Sequence, residues 1–236
     1  MFIIPAIDIW QGKLVRLFQG SYQKPSFYPL TPLQAARKWR EKGFKRLHIV
    51  DLEGARAGRP VEKELIIEAA RQFQGEVEVG GGIRKEEEAK FYLENGISYV
   101  ILGTKGLEKA FLVSLVEKFP HRIIVSLDIS GKKIKVEGWE KEAEETLAET
   151  LSFLSSLPLQ ALIVTDIKRD GTMEGISGQT FLQVAKHTSL PLIVGGGVSS
   201  LQDINWIKEH LPEVKGVIVG KAMYEGDLLK EIKENG

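Results

Sequence analysis

The strongest constraint on this chain is a repeat. "VEVGGGIR" (77–84) returns as "LIVGGGVS" (192–199). "VILGT" (100–104) returns as "VIVGK" (217–221), "IVD" (49–51) as "VTD" (164–166), and "IIPAIDI" (3–9) as "IIVSLDI" (123–129). The pairs keep their order and lie roughly 115–120 residues apart, half of the 236-residue chain. One spacing shared by four motifs predicts two homologous halves, about 1–120 and 121–236, within a single domain. A helical solenoid would need shorter and more numerous repeats.

Short apolar runs alternate with amphipathic stretches throughout: 2–7, 47–50, 77–79, 99–102, 123–127, 161–164, 190–194 and 217–219. Several are β-branched and continuously apolar, as strands buried on both faces should be. Between them lie helical periods, such as Val61, Leu65, Ile66, Ala69, Ala70 and Phe73, or Ala143, Leu147, Leu151 and Leu154. Eight strand–helix units in one α/β chain of this length predict a closed (β/α)₈ TIM barrel built of two homologous half-barrels. An open doubly wound sheet is the alternative, and the lack of any second-domain signal disfavours it. Two long connections, from Ile9 to about Thr31 and from Lys168 to about Gly178, are expected to be loops that carry lids or binding groups.

Lysine plus arginine and aspartate plus glutamate both number 32, so charge gives no sign of a nucleic-acid groove or a membrane surface. There is no cysteine, which removes thiol nucleophiles, disulfides and thiolate-held metals. No run approaches transmembrane length, and Asp8 interrupts the short apolar N-terminal run. The expectation is a cytoplasmic protein with no nucleic-acid or membrane partner, no obligate protein partner and a monomeric state.

In a barrel of eight, strands four apart in order face each other across the mouth. Asp8 and Asp128 then oppose one another. The glycine turns at Gly81–Gly82 and Gly196–Gly197 end the third and seventh strands, beside Gly103–Thr104 and Gly220–Lys221 at the fourth and eighth. Each pair makes a wall of backbone N–H groups next to a helix N-terminus, an anion site. The plan is two phosphate sockets at opposite rims with two carboxylates between them, which suits a small substrate phosphorylated at both ends. A lone glycine triplet could be a mere tight turn; two, each with a glycine on the next strand, favour phosphate binding.

Other polar residues are less sharply defined. Asp51 reads as structural or ligand-orienting, with Arg56 as its expected partner. Asp166 and Asp170 share a loop, "DIKRDGTMEG", in which one acid serves the site and the other braces the turn. The histidines show no metal pattern: His121, His187 and His210 are expected at the surface, and His48 in the second strand is a core or rim residue. Runs "EKEAEE" (140–145) and "KEEEAK" (85–90) read as helix starts with acids at the positive dipole end. Trp139 either stacks on a flat heterocycle or packs on its own domain.

Eight segments covering the whole chain carry a resemblance: "IPAIDIWQGKLVRLFQG" (4–20), "HIVDLEGA" (48–55), "VGGGIR" (79–84), "ILGT" (101–104), "SLDISGKKIKVEGW" (126–139), "TDIKRDGTMEG" (165–175), "VGGGVSS" (194–200) and "VGKAMYEG" (219–226). Together they resemble the histidine-biosynthesis isomerases that act on phosphoribosylformimino-aminoimidazole carboxamide ribotide (ProFAR). The resemblance implies an Amadori rearrangement of an aminoaldose to an aminoketose (PRFAR), on a bisphosphorylated substrate, with neither cofactor nor metal. It also implies that Asp8 is the base at C2′ and Asp128 the acid at the ring oxygen, with Asp170 a rival for the acid. Thr165 would hydrogen-bond the reacting sugar. Arg16, His48, Arg84, Trp139 and Gly171 would be substrate contacts beside the two glycine walls.

Three alternatives stay open on sequence. The cyclase that acts next on a similar two-half barrel also has paired aspartates, but typically begins with a Cys-Leu-Asp stretch where this chain has "AID" (6–8). Phosphoribosylanthranilate could be a second substrate. A non-catalytic bisphosphate sensor is disfavoured, because two apposed carboxylates would repel phosphates without benefit.

Overall fold

Eight parallel strands close on themselves in the structure, a computed structural model that describes residues 1–136, 138–139 and 141–234. They are β1 (Phe2–Trp10), β2 (Arg46–Asp51), β3 (Glu76–Gly80), β4 (Tyr99–Leu102), β5 (Ile123–Ser130), β6 (Ala161–Asp166), β7 (Leu192–Gly195) and β8 (Val214–Val219). Each pairs with its neighbours in chain order, and β1 pairs with β8 through Phe2↔Gly216 to Pro5↔Val219, which shuts the ring. Each of the eight apolar runs supplies one of these strands, the seventh strand beginning only at Leu192, and the fold is the expected (β/α)₈ barrel.

Alternation along the strands separates two cores. Ile4, Ile101, Ile124, Ala161, Ile163 and Ile193 point into the barrel. Leu47, Ile49, Val77, Val79, Val125, Leu127, Leu162 and Val164 point outward, against the helices. Those helices include Pro32–Glu41, Lys63–Phe73, Glu86–Glu94, Lys109–Lys118, Leu147–Ser155, Gly178–Ala185 and Leu201–His210. Their starts are local chemistry. Thr31, Thr146 and Ser200 each accept from the backbone three residues on, in reciprocal capping boxes.

Three local expectations are corrected. The stretch from Ile9 to Thr31 is chiefly a β-hairpin, Lys13–Phe18 and Ser21–Phe27, which extends β1 by antiparallel pairing through Asp8↔Val15. Its "KLVRLF" buries Leu14, Val15 and Leu17, and a ladder satisfies backbone groups that a loop would leave to water. The "EKEAEE" run is not a helix start. Lys141–Glu142 pair with Lys135 and Val136, Glu142 is held by Lys133 and Lys135, and the helix begins only after Thr146; Glu140 lies outside the described residues. Helix Lys63–Phe73 likewise begins after Val61, and Ala143 lies outside Leu147–Ser155. The "KEEEAK" run does open a helix, with Glu86, Glu87 and Glu88 in its first turn.

Candidate active site

The strand C-termini converge on one mouth, where a barrel of this kind concentrates its polar groups. Asp8 leaves β1 there. Because β1 pairs with the hairpin strand at Asp8↔Val15, the next residue, Arg16, is beside it, and its Nη1 lies 2.5 Å from Asp8 Oδ2. The guanidinium runs on toward β8, so that a Cβ built on Gly220 would overlap Arg16 Nη2.

Asp128 ends β5 in register with Thr165 of β6. Its carboxylate accepts from Trp139 Nε1 at 2.7 Å and from the Thr165 hydroxyl. Burial pushes the Asp128 carboxyl up, and these two hydrogen bonds oppose the rise. Trp139 has φ +76, in the left-handed region, and its ring lies against Gly20, where a Cβ would come within 2.5 Å of it. The ring thus packs on its own chain beside the mouth.

The acids of the strand-6 loop stand in unlike surroundings. Asp166 is the brace: it accepts from Lys168 N and Thr180 Oγ1, and its carbonyl accepts from Arg169 N and Asp170 N. Asp170 sits in the mouth. Its carboxyl is pushed up to about 6, mainly by burial and further by Asp8 and Asp128, while Arg16 and His48 pull it down. Four groups expected at the site, Asp8, Arg16, His48 and Asp128, therefore lie within electrostatic reach of Asp170. Asp51 does for β2 what Asp166 does for β6, accepting from Gly54 N, Val61 N and Glu62 N. Its expected partner Arg56 is elsewhere, over the rings of Trp10 and Tyr22; three amides at 2.6–3.0 Å fill the carboxylate's lone pairs without it.

The glycine walls differ in state. On the β7–β8 side, Gly196 and Gly197 have φ +89 and +91, and with Gly220, Lys221, Arg16 and Gly171 they surround about 30 Å³ of free space. Lys221 Nζ donates to Gly171 O, and Gly171 (φ +71) would strike Leu17 O with a Cβ at 2.7 Å. On the β3–β4 side, Gly81 and Gly82 also have positive φ, and a Cβ on Gly103 would meet nothing within 4 Å. A Cβ on Gly82 or Gly197 would meet backbone, Arg59 at 2.6 Å and Gly175 O at 2.6 Å respectively, so these two glycines are demanded by the turn itself. Thr104 opens a short 3₁₀ turn, Thr104–Leu107, and is exposed. Arg84 is exposed and lies against Gly58 of the strand-2 connection.

His121, His187 and His210 are exposed as expected. His48 was read correctly as a rim or core residue, but its partner Glu78 was not foreseen; Nδ1 lies 2.8 Å from Glu78 Oε1. Also unforeseen was Gln19 at the hairpin tip, which donates from its backbone to Asp170 O and from its side chain to Lys168 O. Among the described residues no group of three or more His, Cys, Asp or Glu could hold a metal ion. No helix among them is long and apolar enough to cross a membrane.

Comparison with known proteins agrees with this geometry. Residues 2–229 match a family described as "Histidine biosynthesis protein". A protein of Aquifex aeolicus (strain VF5) is 41% identical over 235 residues, 99% of this chain and 98% of its own length. One of Desulforudis audaxviator is 42% identical over 231 residues, 97% of this chain and 88% of its own. One of Ruminiclostridium cellulolyticum is 41% identical over 233 residues, 98% of both. All three carry the name 1-(5-phosphoribosyl)-5-((5-phosphoribosylamino)methylideneamino)imidazole-4-carboxamide isomerase.

Proposed function

The chain belongs to the histidine biosynthesis family, and from that premise we propose that it isomerises the bisphosphorylated aminoaldose ribotide ProFAR to the aminoketose PRFAR. It is an isomerase of histidine biosynthesis. The observation that most supports this substrate and chemistry is the set of three mouth carboxyls in unlike environments, between two glycine walls.

The rearrangement needs a proton delivered to the ring oxygen and a proton removed from C2′. Asp8, ion-paired to Arg16, is the acceptor at C2′. The donor is better matched by Asp170 than by Asp128. A carboxyl pushed up to about 6 is protonated in a useful fraction near neutrality, and general acids work best in that range. Asp128 accepts two hydrogen bonds, from Trp139 and Thr165, and these favour its anion. Its role is then to stabilise positive charge on the nitrogen side as the ring opens, with Thr165 holding it in place. Once the ring is open, loss of the C2′ proton gives an enolamine, which tautomerises to the ketose.

The phosphates take the two walls, Gly81, Gly82, Gly103 and Thr104 on one side, Gly196, Gly197, Gly220 and Lys221 on the other, with Gly171, Arg84 and His48 as further contacts. The two walls descend from two half-barrels of one domain, about 1–120 and 121–236. On this reading the enzyme works in the cytoplasm as a monomer. Absorbance-monitored turnover of purified protein with the aminoaldose ribotide tests it; turnover of phosphoribosylanthranilate alone would displace it.

A further inference from the structure

Below the mouth, two strands break the rule that fills the rest of the barrel. β1 and β4 to β7 turn aliphatic side chains inward. In β2 and β3 the outward positions are Leu47, Ile49, Val77 and Val79, so alternation turns Arg46, His48 and Glu78 inward. Arg46 is committed elsewhere: Nε and Nη2 both donate to Glu76 Oε2, at 2.9 and 2.7 Å, and the guanidinium lies 4.6 Å over the Tyr99 ring. It approaches Glu78 Oε2 only to 3.7 Å, too far for a hydrogen bond.

Glu78 is therefore a fully buried carboxylate with one hydrogen bond, to His48 Nδ1, and its Oε2 has no hydrogen-bond partner. Its charge is offset by His48 and by the buried Arg46, with which it forms an ion pair at 3.7 Å, and burying such a pair gains the fold little. An aliphatic residue, as in the neighbouring strands, would serve packing better. What the carboxylate does accomplish is at the other end of the imidazole. His48 is half-buried on β2 and lies within electrostatic reach of Asp170, so the far side of its ring faces the mouth side of the barrel.

We infer that Glu78 is a positioning residue for catalysis: it takes the proton-bearing Nδ1 of His48 and so leaves Nε2 as a bare acceptor at the mouth. A carboxylate accepts only, so the neutral ring facing it must carry its hydrogen on Nδ1. The free Nε2 then selects a donor, a hydroxyl of the reacting sugar, over a phosphate oxygen. This rests on the isomerase reading for the identity of that sugar, but the tautomer does not depend on it.

The whole protein labelled with ¹⁵N-histidine has four imidazoles to resolve, and H48Q identifies the signals of His48. Well above the range in which an ordinary imidazole is charged, at about pH 8.5, His48 is expected in the Nδ1–H form. Glu78→Leu removes the acceptor and should shift the ring toward Nε2–H, whereas Glu78→Gln, whose amide oxygen still accepts, should keep Nδ1–H. With the aminoaldose ribotide, Glu78→Leu should lower kcat/KM roughly tenfold or more and Glu78→Gln only about threefold, from the net worth of one hydrogen bond. The melting temperature of Glu78→Leu should be unchanged or higher, so lost activity is not lost fold. An Nε2–H ring in the unmodified protein, or an Nδ1–H ring with full activity in Glu78→Leu, overturns the proposal. If the unmodified protein leaves the aminoaldose unchanged, the substrate reading falls and the tautomer still decides the role of Glu78.

Discussion

One guanidinium serves Asp8 and the β7–β8 wall at once: Arg16 Nη1 is 2.5 Å from Asp8 Oδ2, and Arg16 Nη2 stands where a side chain on Gly220 would begin. Arg16 lines the pocket at that wall, so a phosphate bound there competes with Asp8 for its guanidinium. That competition loosens the guanidinium's hold on Asp8 as substrate settles. Arg16→Met should therefore weaken competition by inorganic phosphate and lower kcat/KM by roughly 10–100-fold, the range for a hydrogen bond between charged groups. Phosphate competition unchanged by the substitution would show that the wall binds its anion without Arg16.

Asp170 sets the pH behaviour. Its carboxyl is raised to about 6 in the fold, so between the ordinary carboxyl range and pH 6 the folded protein holds a proton that the unfolded chain has released. That favours the fold at acid pH, and the advantage is lost as pH rises through about 6. Asp170→Asn should thus stabilise the fold more at pH 8 than at pH 4, by up to about 2 kcal/mol after allowance for partial exposure. The free-enzyme kcat/KM should decline above about pH 6 and lose this limb in the variant. Equal stability increments at both pH values would remove Asp170 from the role.

Asp128 and Asp170 are separated by substitution. Asp170→Asn should abolish nearly all turnover, roughly 100-fold or more, with affinity little changed, since only proton delivery is removed. Trp139→Phe keeps the ring against Gly20 but deletes the Nε1–H bond, leaving Asp128 with Thr165 alone. The Asp128 carboxyl should rise further, and kcat should fall more than KM changes. A variant with normal kcat would mean the bond has no part in the chemistry.

The glycines offer a clean contrast. A Cβ on Gly103 enters open space, so Gly103→Ala meets no clash and should change the melting temperature less than Gly82→Ala does. It should raise KM for the bisphosphate roughly tenfold by displacing one charged contact. Gly82→Ala meets backbone at positive φ and should lower the melting temperature by about 3–10 °C through strain. Thermal melts and KM values for the pair would refute the wall if Gly103→Ala bound normally.

Chemistry resting on side chains and backbone alone should survive exhaustive EDTA treatment. Loss of turnover restored by one divalent ion would require ligands other than those described.

The barrel was legible because each strand, buried on both faces, must be apolar over several residues, and because the repeat placed the runs four apart. Asp8 and Asp128 were legible as charges ending such runs. The residue types alone leave Asp166 and Asp170 alike and only the resemblance picks out Asp170; the turn shows the Asp166 carboxylate taken up by Lys168 N and the Thr180 hydroxyl. The hairpin at 13–27 reads as a loop because its apolar residues Leu14, Val15 and Leu17 do not alternate strictly, although all three are buried. Glu78 left a signal that was passed over: "RLHIV" and "VEVGG" put three charged or polar residues at inward positions of strands that should be apolar.

The hairpin tip and the strand-6 loop touch through Gln19, whose backbone N–H reaches Asp170 O at 3.3 Å and whose amide reaches Lys168 O at 3.0 Å. These two bonds tie the hairpin tip to the loop that carries Asp170. They join segments from opposite halves of the chain, so they break together as those segments part. Turnover then has a mechanical clock as well as a chemical one: segment motions of this kind run in microseconds to milliseconds and gate product escape. In solvent thickened with sucrose, kcat should slow in proportion to viscosity wherever that escape is the slowest step, and Gln19→Ala, with one strut gone, should slow less.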